Sequence, residues 1–129
     1  MRRNFLPILG LLSLFVLGSC SADRDPKIAS LKHAVEVADS QLLDAAAELD
    51  TTNCFPRSLM PKFRAVDAKD WTSGFFPGSL WQCYRFTGDE KLLAEARKYT
   101  DRLEGIQYYK GTHDLGFMVF CSFGQQMET

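Results

Sequence analysis

Apolar residues that recur at steps of three and four place the strongest constraint on how this chain folds. One such series lies early in the chain and comprises Ile28, Leu31, Val35, Ala38, Leu42, Ala45 and Leu49. Because an α-helix has about 3.6 residues per turn, this spacing brings the apolar side chains to one face. Asp25 and Pro26 precede the series and are typical of an N-cap and a first helical residue. The sequence therefore predicts a long amphipathic helix from Pro26.

Three further helices are predicted in the second half of the chain. The first begins at Pro77, or one residue later, and ends before Gly88, since glycine is common just beyond a helix end. Asp89 caps the next helix, which ends at Gly105. The last begins at Leu115 and is apolar almost all round, as a helix inside a core would be. No segment alternates with the strand period, so we expect an all-α fold of helical hairpins in series.

The segment 50–69 interrupts the helical pattern. It contains two prolines, Pro56 and Pro61, and its basic residues Arg57, Lys62 and Arg64 alternate with the aromatic residues Phe55 and Phe63. A loop of this length in a compact domain is either functional or poorly ordered. Two interpretations stay open: a solvated connection, or a loop that lines a cleft for an anionic ligand.

The beginning of the chain has the pattern of an export signal. Two arginines precede an apolar run over 5–17, which is too short to span a bilayer but suits a signal peptide. The run ends in Leu17-Gly18-Ser19-Cys20, which resembles a bacterial lipobox with cleavage before Cys20. An ordinary secretory signal is the alternative.

The lipobox interpretation predicts three regions and a location. Residues 1–19 would be a signal peptide, 20–25 a tether lipidated at Cys20, and 26–129 the folded domain. The lipid would hold the protein to a membrane without spanning it. We therefore expect a lipoprotein of the bacterial cell envelope, either periplasmic or on the surface.

Charge and cysteine content bear on partners and cofactors. The formal net charge of −1 gives no case for a nucleic-acid partner, which usually requires a clustered basic face. Cys54, Cys83 and Cys121 have no C-x-x-C spacing, and the chain has only 2 histidines. We therefore expect no metal site and no cofactor. One disulfide is possible in an exported protein, whereas three scattered cysteines are more often small buried hydrophobic residues, and the sequence leaves this choice open.

An aromatic turn from Asp70 to Trp81 reads D-W-T-S-G-F-F-P-G-S-L-W. Gly74 and Gly78 allow backbone conformations that other residues resist. A turn this rich in aromatic residues is either a packed corner or the floor of a pocket that stacks flat ligands. Trp71 is accordingly either a core residue or a ligand-binding one.

A second cluster, T-H-D-L-G-F, begins at Thr112 and sets His113 and Asp114 directly before an apolar helix. The helix N-terminus favours a charged carboxylate, whereas apolar surroundings raise the pKa of a carboxyl group. These opposing effects can adjust an aspartate for general acid–base catalysis. The alternative role for Asp114 is a plain N-cap.

Together the two clusters resemble glycoside hydrolase family 88, the unsaturated glucuronyl hydrolases. The resemblance rests on D-W-T-S-G-F-F-P-G from Asp70 and H-D-L-G-F from His113, and it extends from about Asp25 to Gly124. Family 105, the unsaturated rhamnogalacturonyl hydrolases, is a similar alternative. A helical-repeat binding module without enzymatic activity is another.

The resemblance to family 88 implies a fold and a reaction. The fold would be an (α/α)6 toroid of six helical hairpins around a central pocket, of which residues 26–129 form the incomplete N-terminal part. The partner would be an unsaturated uronyl oligosaccharide released by a polysaccharide lyase, such as a glycosaminoglycan disaccharide. The enzyme would hydrate its C4=C5 vinyl ether, so the usual relation between carboxylate spacing and stereochemistry does not apply.

The resemblance also implies roles for individual residues. Asp114 would be one of two essential aspartates, and His113 would orient it. Trp71 would pack against the unsaturated sugar, with Phe75 or Phe76 lining the same subsite. The second aspartate of the family would lie beyond residue 129, so we expect these 129 residues alone to be inactive and prone to aggregate.

Overall fold

The computed structural model describes residues 25–58 and 63–129. The predicted signal peptide, the lipidation site at Cys20 and most of the tether lie outside the described residues. Within the described ranges, none of the helices combines the length and apolar character needed to cross a membrane.

Helices dominate the described part of the chain, as predicted. The helices are α1 (Pro26–Glu48), α2 (Phe75–Thr87), α3 (Glu90–Asp101), α4 (Leu115–Val119) and α5 (Gln125–Met127). The remaining elements are β1 (Phe55–Ser58), β2 (Arg64–Val66), a 3₁₀ turn (Ile106–Tyr108) and a π-helical turn (Phe120–Gly124).

The predicted start of α1 is confirmed. The Asp25 side chain accepts a hydrogen bond from the Lys27 N–H at 2.8 Å, and Pro26 is the first helical residue. At the other end of α1, the Arg102 guanidinium donates to the carbonyl oxygens of Asp50 at 3.1 Å and Cys54 at 3.3 Å. Since the last carbonyls of a helix and the turn after it lack internal donors, these bonds fasten the end of α1 to the end of α3.

The boundaries of α2 and α3 follow the predicted caps with two differences. Helix α2 begins at Phe75, two residues before Pro77. Pro77 is compatible with this earlier start, because the N–H groups of the first helical turn have no intrahelical partner and a proline there loses no hydrogen bond. Gly88 ends α2 with φ of 70°, and Asp89 caps α3 as predicted. Helix α3 itself ends at Asp101, earlier than predicted, although Gly105 keeps a left-handed φ of 85°.

The expectation that the chain contains no strands is wrong within the segment 50–69. Strands β1 and β2 form an antiparallel pair in which Phe55 lies opposite Val66. The strands have 4 and 3 residues, which is too short to show a clear alternation in the sequence. Phe55 anchors the pair to the core, where its ring lies edge-on to Tyr99 at 5.8 Å.

The core lies between α1, α2 and α3. Its largest fully buried side chains include Trp81, Tyr99, Leu80, Leu92 and Leu103. The two polar groups of its large aromatic residues are satisfied: the Trp81 indole N–H donates to Thr100 at 2.9 Å, and the Tyr99 hydroxyl donates to the Ala46 carbonyl at 3.1 Å. Buried Tyr and Trp side chains usually need such partners, so these bonds fix how α2 and α3 pack against each other and α1.

The final helical segment differs from its prediction. It begins after Asp114 as expected, but its middle turn is a π-helix. Met118 and Ser122 are buried, whereas Phe117 and Phe120 are 50% and 73% exposed. The prediction of a helix enclosed on all sides is therefore wrong for this structure. One side of the segment packs on α2, and the side that carries the two phenylalanines faces outward.

Two glycines let α2 approach the backbone of this segment. A Cβ atom added to Gly74 would lie 2.7 Å from the Met118 Cα, and one added to Gly78 would overlap the carbonyl oxygen of Cys121. Real Cβ atoms do not come this close to backbone atoms. Gly74 and Gly78 are one helical turn apart, so they form a single smooth strip along α2.

We predict that Gly74→Ala lowers the free energy of unfolding by about 1 to 3 kcal/mol, because the added methyl group forces the two backbones apart. Urea denaturation of the purified protein measures this loss. Gly116→Ala is the matched control: its Cβ would come no closer than 4.0 Å to the Phe120 ring. The control should be neutral or gain about 0.4 to 1 kcal/mol. Equal effects of the two substitutions would contradict the close-approach argument.

Candidate functional site

Three aromatic side chains from two parts of the chain meet at the surface. We call Trp71, Phe75 and Phe117 the aromatic cluster. The ring centroids of Trp71 and Phe75 lie 5.9 Å apart and nearly perpendicular, and those of Trp71 and Phe117 lie 6.3 Å apart. Phe75 and Phe117 complete the triangle at 5.9 Å. These separations are typical of favourable aromatic contacts.

The aromatic cluster is open to solvent. Trp71 is 42% exposed, Phe75 39% and Phe117 50%, whereas the other tryptophan, Trp81, is 2% exposed. Trp71 is therefore a surface residue and not a core residue, and a role for it in ligand binding stays a prediction. Exposed aromatic residues gathered in one place are a common feature of sites that bind flat or ring-shaped ligands.

Phe76 does not take part in the aromatic cluster. It is 7% exposed, and its ring lies edge-on to Tyr99 at 4.7 Å. Neighbouring residues in a helix point about 100° apart, so only one of the two adjacent phenylalanines can face the cluster. The sequence left Phe75 and Phe76 as alternatives, and the structure brings Phe75 to Trp71 and Phe76 to the core.

A polar network supports the turn that carries Trp71. Arg57 from β1 forms an ion pair with Asp70 and donates a hydrogen bond to the Thr72 hydroxyl at 3.2 Å. The same Asp70 oxygen accepts from the Thr72 N–H at 3.0 Å and from the Thr72 hydroxyl at 2.6 Å. The Arg57 guanidinium also lies over the Trp71 ring, 5.7 Å from its centroid.

This network sets the protonation state of Asp70. Burial by itself would raise the pKa of Asp70, but the two hydrogen bonds from Thr72 and the charge of Arg57 outweigh it. The pKa of Asp70 is therefore lowered from its ordinary value of 3.8. At neutral pH Asp70 is a permanent negative charge, which suits a structural anchor and not a proton donor.

Asp114 lies immediately before α4, one turn from Phe117, whose N–H donates to the Asp114 carbonyl at 2.9 Å. Its side chain makes no capping hydrogen bond to the described helix, so the plain N-cap alternative is not supported. The Asp114 side chain is 25% exposed, and its Oδ2 lies 3.4 Å from the Nε2 of His113. The carboxylate is thus partly exposed, has an imidazole beside it and makes no capping hydrogen bond to the helix that follows it.

A groove of about 1160 Å³ lies between α1, the β-hairpin and α2. Arg57 and Phe75 contribute to its wall, so it adjoins the aromatic cluster. Of the two interpretations of segment 50–69, the structure favours the lining of a groove. An anionic ligand for this groove stays a prediction, because Asp44 and Glu48 of α1 also line it.

The structure describes three of the cysteines. Cys54, Cys83 and Cys121 are free thiols. Burial, together with the nearby Asp39 carboxylate, raises the pKa of Cys83 to about 11, so it stays protonated at neutral pH. Over residues 25–58 and 63–129, three or more His, Cys, Asp or Glu side chains nowhere converge as metal ligands would.

Two residues at the aromatic cluster, Phe117 and Arg57, are not predicted by the sequence patterns as parts of a site. Phe117 belongs to the quoted H-D-L-G-F motif but was assigned to a buried helix. Arg57 was noted only as one of several basic residues in a loop. The sequence carries no clear signal for either position, because Pro56 argues against a strand and the apolar run after Asp114 does not show which of its sides is exposed.

The chain is similar in sequence to curated unsaturated glucuronyl hydrolases. It is 46% identical over 79 residues to one from Formosa agariphila, a match that covers 59% of this chain and 20% of the relative. It is 39% identical over 68 residues to one from Bacillus sp. (strain GL1), covering 47% and 17%. An unsaturated chondroitin disaccharide hydrolase of Streptococcus agalactiae is 33% identical over 60 residues, covering 43% and 15%.

The fold is also similar to a solved structure. A crystal structure of an unsaturated glucuronyl hydrolase specific for heparin superimposes with a TM-score of 0.61 at 40% identity, covering 73% of this chain and 26% of that one. No family model matches the sequence. The chain spans about a fifth of the length of the curated relatives it matches. The resemblance read from the two motifs is thus confirmed: the chain is homologous to part of these glycosidases.

We predict that Asp70→Asn lowers the free energy of unfolding at pH 7 by about 1 to 3 kcal/mol, because it removes the charged partner of Arg57 and Thr72. Since the folded-state pKa lies below the unfolded value of 3.8, this stabilisation is present above that pH. It is lost as the pH falls through the folded-state value. Urea denaturation of both forms at pH 7 and at about pH 2 to 3 measures the difference.

The pH comparison has an internal control. Asp101→Asn changes an exposed carboxylate at the end of α3 and should alter stability by less than about 0.5 kcal/mol at either pH. A difference between wild type and Asp70→Asn that persisted unchanged in acid would contradict the electrostatic explanation.

Proposed function

We propose that this chain is part of an unsaturated glucuronyl hydrolase, a glycosidase that acts on oligosaccharides with a C4=C5 double bond in the terminal uronic acid. Within it, the chain supplies the sugar-stacking surface and one essential carboxylate. The helical hairpins would belong to an (α/α)6 toroid, in keeping with the likeness to a solved enzyme of this kind at a TM-score of 0.61. The alternative of a non-enzymatic binding module gives no role to Asp114, whose side chain makes no capping hydrogen bond to the helix after it.

The observation that carries the proposal is the pairing of an open aromatic cluster with an accessible carboxylate one helical turn away. Trp71 offers a broad apolar ring at 42% exposure, and Asp114 offers an oxygen that the helix does not use. A sugar with a double bond in its ring is flattened on that side. Such a ring suits stacking against an aromatic side chain better than a fully puckered sugar does.

The proposed chemistry is hydration of a vinyl ether. A carboxylic acid protonates C4, and water adds at C5 as a carboxylate accepts its proton. The resulting hemiketal opens and releases the remaining sugar. Asp114 would be one of the two carboxyl groups, with His113 at 3.4 Å restricting its orientation. The second carboxyl group would come from elsewhere in the complete protein, and residues 1–129 by themselves would be inactive.

The location of the enzyme is also a proposal. The pattern that ends in Cys20 supports export and lipid attachment, which would hold the protein in the bacterial cell envelope. An anchored hydrolase there would act on fragments released nearby by a polysaccharide lyase. The lyase products of glycosaminoglycans are the substrate class that fits the names of the relatives.

We predict that Asp114→Asn lowers the turnover of an unsaturated glucuronyl disaccharide by about 10²- to 10⁴-fold, because the amide cannot exchange the proton that the reaction requires. Affinity for the disaccharide should change little, since the shape of the side chain is kept. The measurement follows the loss of absorbance of the C4=C5 bond by the natural protein isolated from its cells. Asp101→Asn is the matched control and should turn over normally. Equal activity in the two variants would refute the role of Asp114.

We predict that Trp71→Ala weakens disaccharide binding by about tenfold, since an aromatic contact contributes on the order of 1 kcal/mol. Titration calorimetry with the Asp114→Asn background measures binding without turnover. Phe86→Ala removes another exposed ring, 75% exposed on α2 and not in the aromatic cluster, and should leave affinity unchanged. Unaltered affinity in Trp71→Ala would overturn the stacking surface.

A further inference from the structure

We propose that Arg57 is a positioning residue that fixes the orientation of the Trp71 ring against which the sugar would stack. The role in sugar binding rests on the proposed function, whereas the effect on the ring does not. Arg57 belongs to β1, a strand that the sequence pattern does not predict.

Arg57 is itself held firmly. Its Nη1 contacts both Asp70 and the Thr72 hydroxyl, the residues that flank Trp71 on either side. The side chains of Arg57 and Asp70 are only 25% and 20% exposed. An arginine tied to both neighbours of a residue and partly shielded from water has little freedom to leave it.

The position of the guanidinium restricts how a ligand can approach Trp71. The guanidinium lies over the ring, 5.7 Å from the centroid. Phe75 and Phe117 also contact this ring, with 87° and 62° between the planes. Arg57 therefore restricts access to the side of the ring over which it lies, and a sugar would use the part of Trp71 that stays 42% exposed.

A direct role for Arg57 as the ligand of a substrate anion fits the geometry less well. Its charge is already balanced by Asp70, whose lowered pKa keeps it ionised. A positioning role depends on the planar guanidinium, which can stack on an indole and bond to two partners at once. Lysine keeps the charge but not this shape. The two roles therefore predict different behaviour for Arg57→Lys.

The experiment uses the fact that the chain has 2 tryptophans. In ¹⁵N-labelled natural protein each tryptophan gives one indole N–H signal in a two-dimensional NMR spectrum, and Trp71→Phe and Trp81→Phe identify the signals of these two residues among any others. Trp81 is an internal reference, because its N–H is bonded to Thr100 in the core. We expect Arg57→Gln to shift and broaden the Trp71 signal and to leave the Trp81 signal in place.

The same variants are tested for binding of an unsaturated glucuronyl disaccharide. We expect Arg57→Gln to weaken binding by about fivefold to tenfold, and Arg57→Lys to restore less than half of that loss. Arg64→Gln removes an exposed arginine from β2 of the same hairpin and should change neither the Trp71 signal nor the affinity.

The outcomes separate this proposal from the proposed function. An unchanged Trp71 signal in Arg57→Gln, an equal shift of the Trp81 signal, or full recovery of binding by Arg57→Lys would each overturn the positioning role. If the wild-type protein does not bind the disaccharide, the proposed function fails. The selective shift of the Trp71 signal then still supports the hold of Arg57 on the ring.

Discussion

The close contact between α2 and the final helical segment is the constraint on which the rest of the site depends. Gly74 and Gly78 leave no room for a Cβ atom against the backbones of Met118 and Cys121. Any other residue at either position would push the two helical segments apart. This contact brings together parts of the chain more than forty positions apart and fixes Phe117 beside Phe75. The glycines of the aromatic turn thus matter chiefly for close approach, since neither has a positive φ.

Around that contact, the β-hairpin supplies the polar support. Phe55 is buried against Tyr99, and two residues later Arg57 emerges to reach Asp70 and the Trp71 ring. The pairing of the two strands is irregular between Pro56 and Ser58, so regular strand alternation does not set the side on which Arg57 lies. The buried Phe55 and the ion pair of Arg57 with Asp70 instead hold this short strand at two points. Rigid support of this kind is what a binding surface needs if its aromatic rings are to be ordered before the ligand arrives. The short hairpin is therefore as much a part of the candidate site as the helices are.

Much of the helical framework could be predicted from sequence, because caps and apolar spacing are local signals. Asp25, Gly88 and Asp89 each mark a helix end where the structure has one. The motifs also single out Trp71 and Asp114, whose roles in a site stay predictions. The hairpin was not predictable, because strands of 4 and 3 residues are defined by pairing and not by pattern. Nor was the choice between Phe75 and Phe76, which depends on how α2 is rotated against its neighbours.

The two aspartates of the site show how surroundings divide roles between identical side chains. Asp70 lies next to Trp71, yet one of its oxygens accepts two hydrogen bonds from Thr72 and pairs with Arg57, so its pKa is lowered and its charge is fixed. Protonating it would break the network that holds the turn. Asp114 makes no capping hydrogen bond to the described helix, and its Oδ2 lies 3.4 Å from the Nε2 of His113, whose side chain is 95% exposed. Asp70 is therefore tied to the fold by its charge, whereas the Asp114 side chain makes no capping hydrogen bond, and its role in proton transfer stays a prediction.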